Sequence, residues 1–308
     1  MEKILVKDFK EGEHVNTNLL VSSLVKGVTN TGAPYLSLVL QDSSKTIDAK
    51  MWDVKSEVEK LLCSGKVFNF DLEINMYRNN LQAKVIKVLP VSQNDIDMLD
   101  FVSASPIPRD VLRENVGDAV NMIKNDNISR IVIAMLNYYD NDVYIYPAAS
   151  KIHHNFIGGL ATHMSGMIKL ANALCDIYPS ANRDYLLAGV ILHDLGKIEE
   201  FVSPFVSEYS VQGKLLGHIS IMDARLLEVG KQLKLEDSEE LMLLRHMILA
   251  HHGQHEYGSP VLPETLEAEL LTYIDQCKED LNSRTAEIPE EEKPAVYSGA
   301  VTFIGRHG

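Results

Sequence analysis

Histidine and aspartate side chains that could bind a metal are concentrated in one part of this 308-residue chain. Nine of the eleven histidines lie between His153 and His255, which is about a third of the sequence. The candidate ligands follow one another along the chain as His163, the adjacent pair His193-Asp194, His218, the adjacent pair His251-His252, and Asp275. One of these histidines alone would be read as a packed core residue. The ordered set predicts a metal site.

The residue types restrict the chemistry of such a site. Imidazole and carboxylate ligands without thiolates suit Mn, Fe(II), Co or Zn, and an aspartate can bridge two ions. A bound divalent ion provides hydroxide near neutral pH and neutralises phosphate oxygens. The three cysteines, Cys63, Cys175 and Cys277, are far apart and form no C-x-x-C pair. They argue against a disulfide scaffold and a thiolate zinc site, and they fit a reducing cytoplasm.

The candidate ligands lie in sequences with helical periodicity. His163 lies in GGLATHMSGMIKLANALCDIY, and His193-Asp194 end the apolar run YLLAGVILHD. The pair His251-His252 ends ELMLLRHMILAHH and is followed by Gly253, a helix-stop signal. Asp275 lies in the helical pattern EAELLTYIDQCKEDL. Ligands near the inner ends of several helices can converge on the core of one helical bundle.

The first ninety residues show strand patterns instead. In YLSLVLQD, Leu36, Leu38 and Leu40 point to one face at a period of two. TIDAKMWD reads as the next strand, the short helical run VKSEVEKLL follows it, and a hairpin is expected at Arg78-Asn79-Asn80. Five strands with a helix after the third predict a five-stranded OB-like β-barrel.

The chain is therefore predicted to be a multidomain protein of α and β type, an N-terminal OB-like barrel followed by an all-α helical bundle. The predicted boundaries are residues 1–92 for the barrel, 93–112 for a polar, proline-bearing linker, 113–285 for the bundle and 286–308 for a C-terminal tail.

Charge is distributed unevenly between these parts. The formal net charge is −14, but residues 1–92 carry 12 basic and 11 acidic side chains, a net of +1, and the remainder carries −15. An acidic domain can still bind phosphates when divalent ions lie in it. No stretch reaches the roughly 18–20 apolar residues of a membrane span, and the N-terminus lacks the apolar region of a secretory signal. We expect no membrane association.

The order H…HD…D, with LLHDLGKI around its second element, resembles the HD superfamily of phosphohydrolases. The additional His218 and His251-His252 are similar to the subset of that superfamily that binds two metals. The segments PYLSLVLQD, IDAKMWD, PAASKIHHNFIGGLATH, LLGHI and HMILAHHGQHEYGSPVLPET resemble the YhaM-type 3′-5′ exoribonucleases. This likeness covers roughly residues 15–280.

The resemblance implies a role for each matching residue. His163, His193, Asp194 and Asp275 would hold one ion, and Asp194 would bridge to a second ion held by His218, His251 and His252. Mn is favoured, with Co, Fe, Zn and Mg as alternatives. Asp194 and Lys197 would be catalytic, with Lys197 near the substrate phosphate unless it is only a solvated lysine. His153 and His154 either contact phosphate or are hydrogen-bonded loop residues. After Asp275, QCKEDLNSR departs from the family pattern, and the tail SGAVTFIGRHG has no match.

The barrel is expected to bind a single strand by stacking bases on aromatic rings beside basic side chains. The predicted nucleic-acid-binding residues are Tyr35, Lys50, Trp52, Arg78 and Lys84. Phe68, Phe70 and Tyr77 are further aromatic candidates, although an aromatic ring in a small barrel is often part of its core.

These observations predict a cytoplasmic, metal-dependent 3′-5′ exoribonuclease that hydrolyses single-stranded RNA to 5′-mononucleotides. Activity on single-stranded DNA and a homo-oligomeric state are left open. The alternative is an HD phosphohydrolase of free nucleotides or cyclic dinucleotides, with a regulatory OB domain. A third hypothesis is a nucleic-acid-binding protein whose HD site is structural or inactive.

Overall fold

The N-terminal part of the protein is a closed β-barrel. The computed structural model describes residues 4–29, 32–93, 96–148 and 156–286. The barrel strands are β1 (His14–Val28), β2 (Pro34–Gln41), β3 (Thr46–Trp52), β4 (Val67–Tyr77) and β5 (Asn80–Pro90). They pair in the order β1-β2-β3-β5-β4, and the short helix α1 (Ser56–Leu61) lies between β3 and β4. Every pair is antiparallel except β3 with β5. This is the order of an OB barrel, as predicted.

Apolar side chains at alternate positions along the strands fill the interior of the barrel. Leu36, Leu38 and Leu40 of β2 are buried, as their period of two predicts. Phe68 and Phe70 of β4 are buried in the same core. They are packing residues, which is the alternative expected for aromatic rings in a small barrel.

The turn between β4 and β5 lies where the sequence predicts a hairpin. Arg78 and Asn79 both have positive φ, 49° and 64°. Two consecutive residues with positive φ match the twist of an antiparallel pair, and asparagine tolerates this conformation well. The local sequence therefore determines this turn.

The rest of the described chain is mainly helical, and the predicted fold class is confirmed. The helices are α2 (Arg109–Met122), α3 (Asp126–Tyr139), α4 (Gly159–Ile177), α5 (Arg183–Leu192), α6 (Lys197–Glu200), α7 (Val211–Leu233), α8 (Glu239–Ala250) and α9 (Leu266–Ala286). Polar side chains accept hydrogen bonds from the first turns of several of them, as Asn182 does for α5 and Ser238 for α8. In α5, every residue from Leu186 to Leu192 is buried, which makes this helix the centre of the bundle.

A short hairpin interrupts the helices and was not predicted. Strand β6 (Phe201–Ser203) pairs antiparallel with β7 (Val206–Tyr209) between α6 and α7. Its two strands have only three and four residues, too few for a clear alternation of apolar and polar side chains. The sequence signal was therefore weak.

The hairpin connects the barrel to the helices. Val206 of β7 packs in one buried apolar cluster with Leu20 and Val67 of the barrel and with Phe101 and Val102 between them. Five partly buried apolar side chains surround this cluster, namely Val91, Ile96, Met98, Ile157 and Phe205. The two parts of the molecule thus share an apolar interface.

Much of the segment expected to be a linker is packed against the barrel. The Gln93 side chain accepts from the backbone N–H of Val67 at 3.1 Å and donates to the carbonyl of the same residue at 2.7 Å. Gln41 of β2 donates to the carbonyl of Phe101 at 3.0 Å. Helix α2 begins at Arg109, four residues before the predicted start of the bundle at residue 113.

None of the helices in the described ranges is both long enough and apolar enough to cross a lipid bilayer.

Candidate metal centre

Five helices of the bundle bring the candidate ligands to one place, and α7 supplies His218. His163 lies within α4, and Asp275 lies within α9. His193 directly follows the last residue of α5, so the fully buried end of that helix delivers the pair His193-Asp194 to the protein interior. His251 directly follows α8 in the same way and is completely buried.

One set of ligand atoms comes from His163, His193 and Asp275, here called the first ligand group. Its candidate ligand atoms all lie within 4.8 Å of one another. The Nε2 atom of His163 is 3.1 Å from Oδ1 of Asp275, and that oxygen is 3.9 Å from Nε2 of His193. All three side chains are buried.

A second set comes from His218, His251 and His252, here called the second ligand group. Its candidate nitrogen atoms also lie within 4.8 Å of one another. The ring of His252 lies beside both others, with centroids 4.3 Å from His251 and 5.3 Å from His218. Three imidazoles at this spacing are able to hold one metal ion.

Asp194 lies between the two ligand groups. Its Oδ2 atom is 3.3 Å from Nε2 of His193 and 4.0 Å from Nε2 of His163. Its Oδ1 atom is 3.6 Å from Nε2 of His218 and 4.0 Å from Nε2 of His251. One carboxylate therefore directs one oxygen towards each group, which is the arrangement of a carboxylate that bridges two ions.

Main-chain carbonyls fix the tautomer of three of the rings. Each ring donates a hydrogen bond through Nδ1, because a carbonyl oxygen can only accept, and this leaves the lone pair on Nε2. The pairs are His193 with Val190 (3.0 Å), His251 with Ile248 (2.7 Å) and His252 with Tyr257 (2.7 Å). Val190 and Ile248 belong to the last turns of α5 and α8, where carbonyls have no partner within the helix. The helix ends thus orient the rings for metal binding.

Polar atoms without partners are concentrated in this centre. Within the described part of the chain, the buried atoms that lack a hydrogen-bond partner include Nε2 of His193, His218 and His251 and one oxygen each of Asp194 and Asp275. Buried polar atoms normally have partners, so a cluster of exceptions requires an explanation. All of these atoms are potential metal ligands. The donor set therefore fits divalent ions.

The electrostatics favour the ionisation states that bind metal. Burial raises the pKa of Asp194, but Lys197 and the rings of His193 and His218 outweigh it and hold that pKa well below its ordinary value. Burial also raises the pKa of Asp275, but the neighbouring rings of His163 and His193 outweigh it, so this pKa too is lowered. Both carboxyl groups are ionised near neutral pH.

The pKa values of the histidines shift in different directions in the two ligand groups. Burial holds the pKa of His251 well below its ordinary value, and it lowers that of His252 as well. Burial likewise disfavours the charged form of His193, but the charges of Asp194 and Asp275 raise its pKa above the ordinary value. Neutral imidazole is the form that coordinates a metal, so His251 and His252 are ready to bind one near neutral pH.

One basic and one acidic side chain contact this centre. Lys197, at the start of α6, donates to Oδ2 of Asp194 at 2.7 Å. The sequence predicted Lys197 to lie near the site, and its role towards phosphate stays a prediction. Glu200, at the end of α6, accepts from both the backbone N–H and Nδ1 of His218. Sequence reasoning missed Glu200, because an acidic residue in GKIEEF carries no distinguishing signal.

Predicted nucleic-acid-binding residues lie together on one outer face of the barrel. Tyr35 of β2 is paired with Trp52 of β3, and their ring centroids are 5.1 Å apart. The ammonium group of Lys50 lies 5.2 Å from the centre of the Tyr35 ring, and Lys50 is in register with Lys84 of β5. We call these four residues the aromatic–lysine face. Trp52 is 47% exposed, so its ring is available to a ligand.

Gly27 explains how the Tyr35 ring is placed. A Cβ atom at Gly27 would lie 2.4 Å from that ring, so the ring lies directly over the glycine of the neighbouring strand β1. Any larger residue would displace it.

The remaining residue predicted to bind nucleic acid is Arg78. Arg78 lies at the β4–β5 turn, with its guanidinium 5.3 Å from the centre of the Tyr77 ring. Lys84 also forms an exposed ion pair with Glu73 at 3.2 Å. His153 and His154 lie outside the described residues, as does the tail from residue 287 onward.

Comparisons with known proteins agree with this geometry. The family model described as HD domain matches residues 160–280. The 3′-5′ exoribonuclease YhaM of Bacillus subtilis (strain 168) is 41% identical over 291 residues, covering 94% of this chain and 92% of the relative. The protein of the same name from Bacillus pumilus (strain SAFR-032) is 39% identical over 294 residues, covering 95% and 93%.

A solved structure resembles the barrel only weakly. The second OB-fold domain of replication protein A from Methanococcus maripaludis covers 28% of this chain and 91% of its own, with 14% identity and a TM-score of 0.24. The strand order of the barrel, rather than this likeness, identifies the OB fold.

Proposed function

The chain belongs to the YhaM family of 3′-5′ exoribonucleases, and from this we propose that it removes 5′-mononucleotides from the 3′ end of single-stranded RNA in a reaction that requires divalent metal. The observation that carries the proposal is the position of Asp194, with one oxygen towards each ligand group. A phosphodiester centre with two ions is the arrangement that such a bridging carboxylate supports.

The first ligand group and Oδ2 of Asp194 would hold one ion, and the second ligand group and Oδ1 of Asp194 the other. When bound, two divalent ions supply a hydroxide nucleophile near neutral pH and neutralise charge on phosphate oxygens. Imidazole and carboxylate ligands admit Mn, Co, Fe, Zn and Mg, and among these we propose Mn, which the family resemblance favours.

Lys197 would add positive charge beside the scissile phosphate. Its ammonium group already lies on Asp194, so it is close to the position where charge develops in the transition state. His153 and His154 remain candidate phosphate contacts from the sequence alone.

The aromatic–lysine face would hold the RNA strand upstream of the cut. Bases stack on exposed aromatic rings, and lysines beside the rings attract the phosphates. Arg78 at the hairpin turn would add a further charge. The three cysteines are unpaired, which supports a location in the reducing cytoplasm.

One assay tests the function and separates it from its alternatives. The protein is incubated with 5′-labelled single-stranded RNA and Mn²⁺, with and without a chelator. A ladder that shortens from the 3′ end and disappears with chelator is expected. Intact RNA together with hydrolysis of free nucleotides would favour a nucleotide hydrolase, and RNA that is retarded but uncut would favour a binding protein.

The role of the barrel has its own test. Trp52→Ala should raise the KM for a long RNA about tenfold, because stacking contributes about 1–3 kcal/mol per base. The rate on a small chromogenic phosphodiester should not change. Tyr178→Ala, which removes a similarly exposed aromatic residue at the end of α4, is the matched control. An unchanged KM for RNA in Trp52→Ala would remove this ring from the proposed path.

A further inference from the structure

Helix α7 is broken immediately before a candidate ligand. Gly217 has φ 69° and ψ 157°, which are not helical values. The break releases the backbone N–H of His218 from the helical hydrogen-bond pattern, because the first residues after a helix start have no intrahelical acceptor. That N–H donates instead to Oε1 of Glu200 at 3.0 Å.

The same carboxylate oxygen also accepts from the His218 ring. Nδ1 of His218 lies 3.2 Å from Oε1 of Glu200. A carboxylate can only accept, so the ring carries its proton on Nδ1 and directs the Nε2 lone pair towards Asp194. His193, His251 and His252 are oriented by main-chain carbonyls. His218 thus depends on a side chain from another element.

Glu200 is itself held firmly in place. Its side chain is buried, and its carbonyl accepts from the backbone N–H of Ser210 at 2.8 Å. A Cβ atom at Gly213 would lie 2.2 Å from that carbonyl oxygen, and one at Gly196 would lie 2.3 Å from the carbonyl oxygen of His218. The backbones of the α6 turn and α7 are therefore in direct contact on both sides of the Glu200–His218 pair.

We propose that Glu200 is a positioning residue for the second ligand group, which fixes the tautomer and orientation of His218 and thereby sets the affinity of one metal site without affecting the other. This inference rests on the proposed two-ion function. Carboxylates that accept from a ligating histidine orient its ring and raise its basicity, and their loss weakens metal binding by about 10–100-fold. The first ligand group comes from α4, α5 and α9, and the Val190 carbonyl orients its His193 ring, so its ion should be retained.

Metal binding without RNA tests the inference directly. The chelator-treated full-length protein is titrated with Mn²⁺ by equilibrium dialysis, and electron paramagnetic resonance distinguishes a coupled ion pair from an isolated ion. Wild type should bind two ions and show the coupled signal. Glu200→Ala should bind the first ion as tightly as wild type and the second about 10–100-fold more weakly, with the signal of an isolated ion at low loading.

Two further variants make the result specific. Glu200→Gln keeps an oxygen acceptor of the same shape without charge, so its loss of second-ion affinity should be smaller than that of Glu200→Ala. Glu228→Gln alters a half-exposed carboxylate that accepts from Arg225 on the same helix, and it should bind both ions like wild type. If Glu200→Ala does not fold, the glutamine variant decides, and equal weakening of both ions in it would overturn the inference.

The outcomes separate this inference from the function it rests on. If wild type and Glu200→Ala both bind two ions with equal affinity, the proposed role of Glu200 is overturned, and the proposed two-ion function still stands. A wild-type protein that binds one ion, with an affinity that Glu200→Ala does not change, would overturn both.

Discussion

The unpartnered nitrogens and oxygens of the metal centre are costly to the folded protein. Each buried polar atom left without a partner costs about 1–3 kcal/mol, and several of them lie around Asp194. Stability alone would favour apolar residues at these positions. Their clustering is therefore evidence at the residue scale that the atoms serve a ligand, and two divalent ions, one in each ligand group, would satisfy them.

Asp194 is the residue on which both ligand groups depend. Asp194→Ala should lower RNA hydrolysis at least about 10³-fold, as loss of a central catalytic group does in other hydrolases, and it should remove bound Mn²⁺. Helicity by circular dichroism should stay near that of wild type. Asp126→Ala is the control, since this carboxylate is 86% exposed. Full activity in Asp194→Ala would refute the site assignment.

The residues of the metal centre could be predicted from the sequence, but the orientations of their side chains could not. The order of histidines and aspartates identified all seven residues that the structure brings together. The tautomers depend on carbonyls such as Val190 and Ile248, which any sequence supplies, so no residue type signals them. Glu200 was missed for a related reason, because its partner His218 is eighteen residues away and only the folded chain brings them together.

At the scale of elements, Gly196 and Gly213 allow the turn after His193-Asp194 to contact α7. Gly196→Ala would place a Cβ atom 2.3 Å from the His218 carbonyl oxygen, and neither backbone can move without shifting a candidate ligand. We expect a loss of about 1–3 kcal/mol in the free energy of unfolding and weaker binding of the second Mn²⁺ ion. Urea denaturation and metal titration measure the two effects.

Gly117→Ala provides the matched control. Gly117 lies in α2, and nothing lies within 4 Å of a Cβ atom added there. Alanine in an open helical position should raise the free energy of unfolding by about 0.5–1 kcal/mol. If both alanine variants behaved alike, close approach at Gly196 would not explain the fold of this turn.

Helices α6, α7 and α3 are connected through Glu199. The two hydrogen bonds from the Arg225 guanidinium, each 2.8 Å, lower the pKa of Glu199 against the effect of burial, and the Tyr139 hydroxyl adds another bond. A lowered carboxyl pKa stabilises the fold above its unfolded value of about 4.3. That stabilisation is lost as the pH falls through the folded value.

Glu199→Gln should therefore be about 1–2 kcal/mol less stable than wild type at pH 7. The difference should shrink as the pH falls below about 4.3, because wild type then loses the charged interaction as well. Urea unfolding of both proteins at a series of pH values measures this difference in the free energy of unfolding. A difference that stays constant with pH would show that Glu199 acts only through its shape.

At the scale of the whole molecule, the barrel and the helices are joined more closely than the sequence suggested. The segment around residues 93–112 is polar and was expected to be a linker, yet Phe101 and Val102 are buried in the interface. Their spacing follows neither a helical nor a strand period, so pattern analysis could not detect their burial. The barrel itself was predictable because alternation and turn residues are local signals, as at Leu36–Leu40 and Asn79.

Val206→Asp should separate the two parts. A charge without a partner in this buried cluster should cost about 3 kcal/mol, and it should expose residues 96–107 to limited proteolysis. Hydrolysis of a small phosphodiester should continue, while the KM for long RNA should rise. Val202→Asp, on the exposed side of the same hairpin, should have little effect. Equal protease resistance in both variants would contradict the role of Val206.

The shared apolar interface also predicts that RNA digestion ends at a product of defined length. Because the cluster around Val206 joins the barrel to the helices, the proposed RNA path from the aromatic–lysine face to Asp194 should have a constant length. An RNA that is shortened from its 3′ end eventually becomes too short to reach both places at once. Digestion should then slow at one defined oligonucleotide size, which the distance between the two sites, rather than the base sequence, determines.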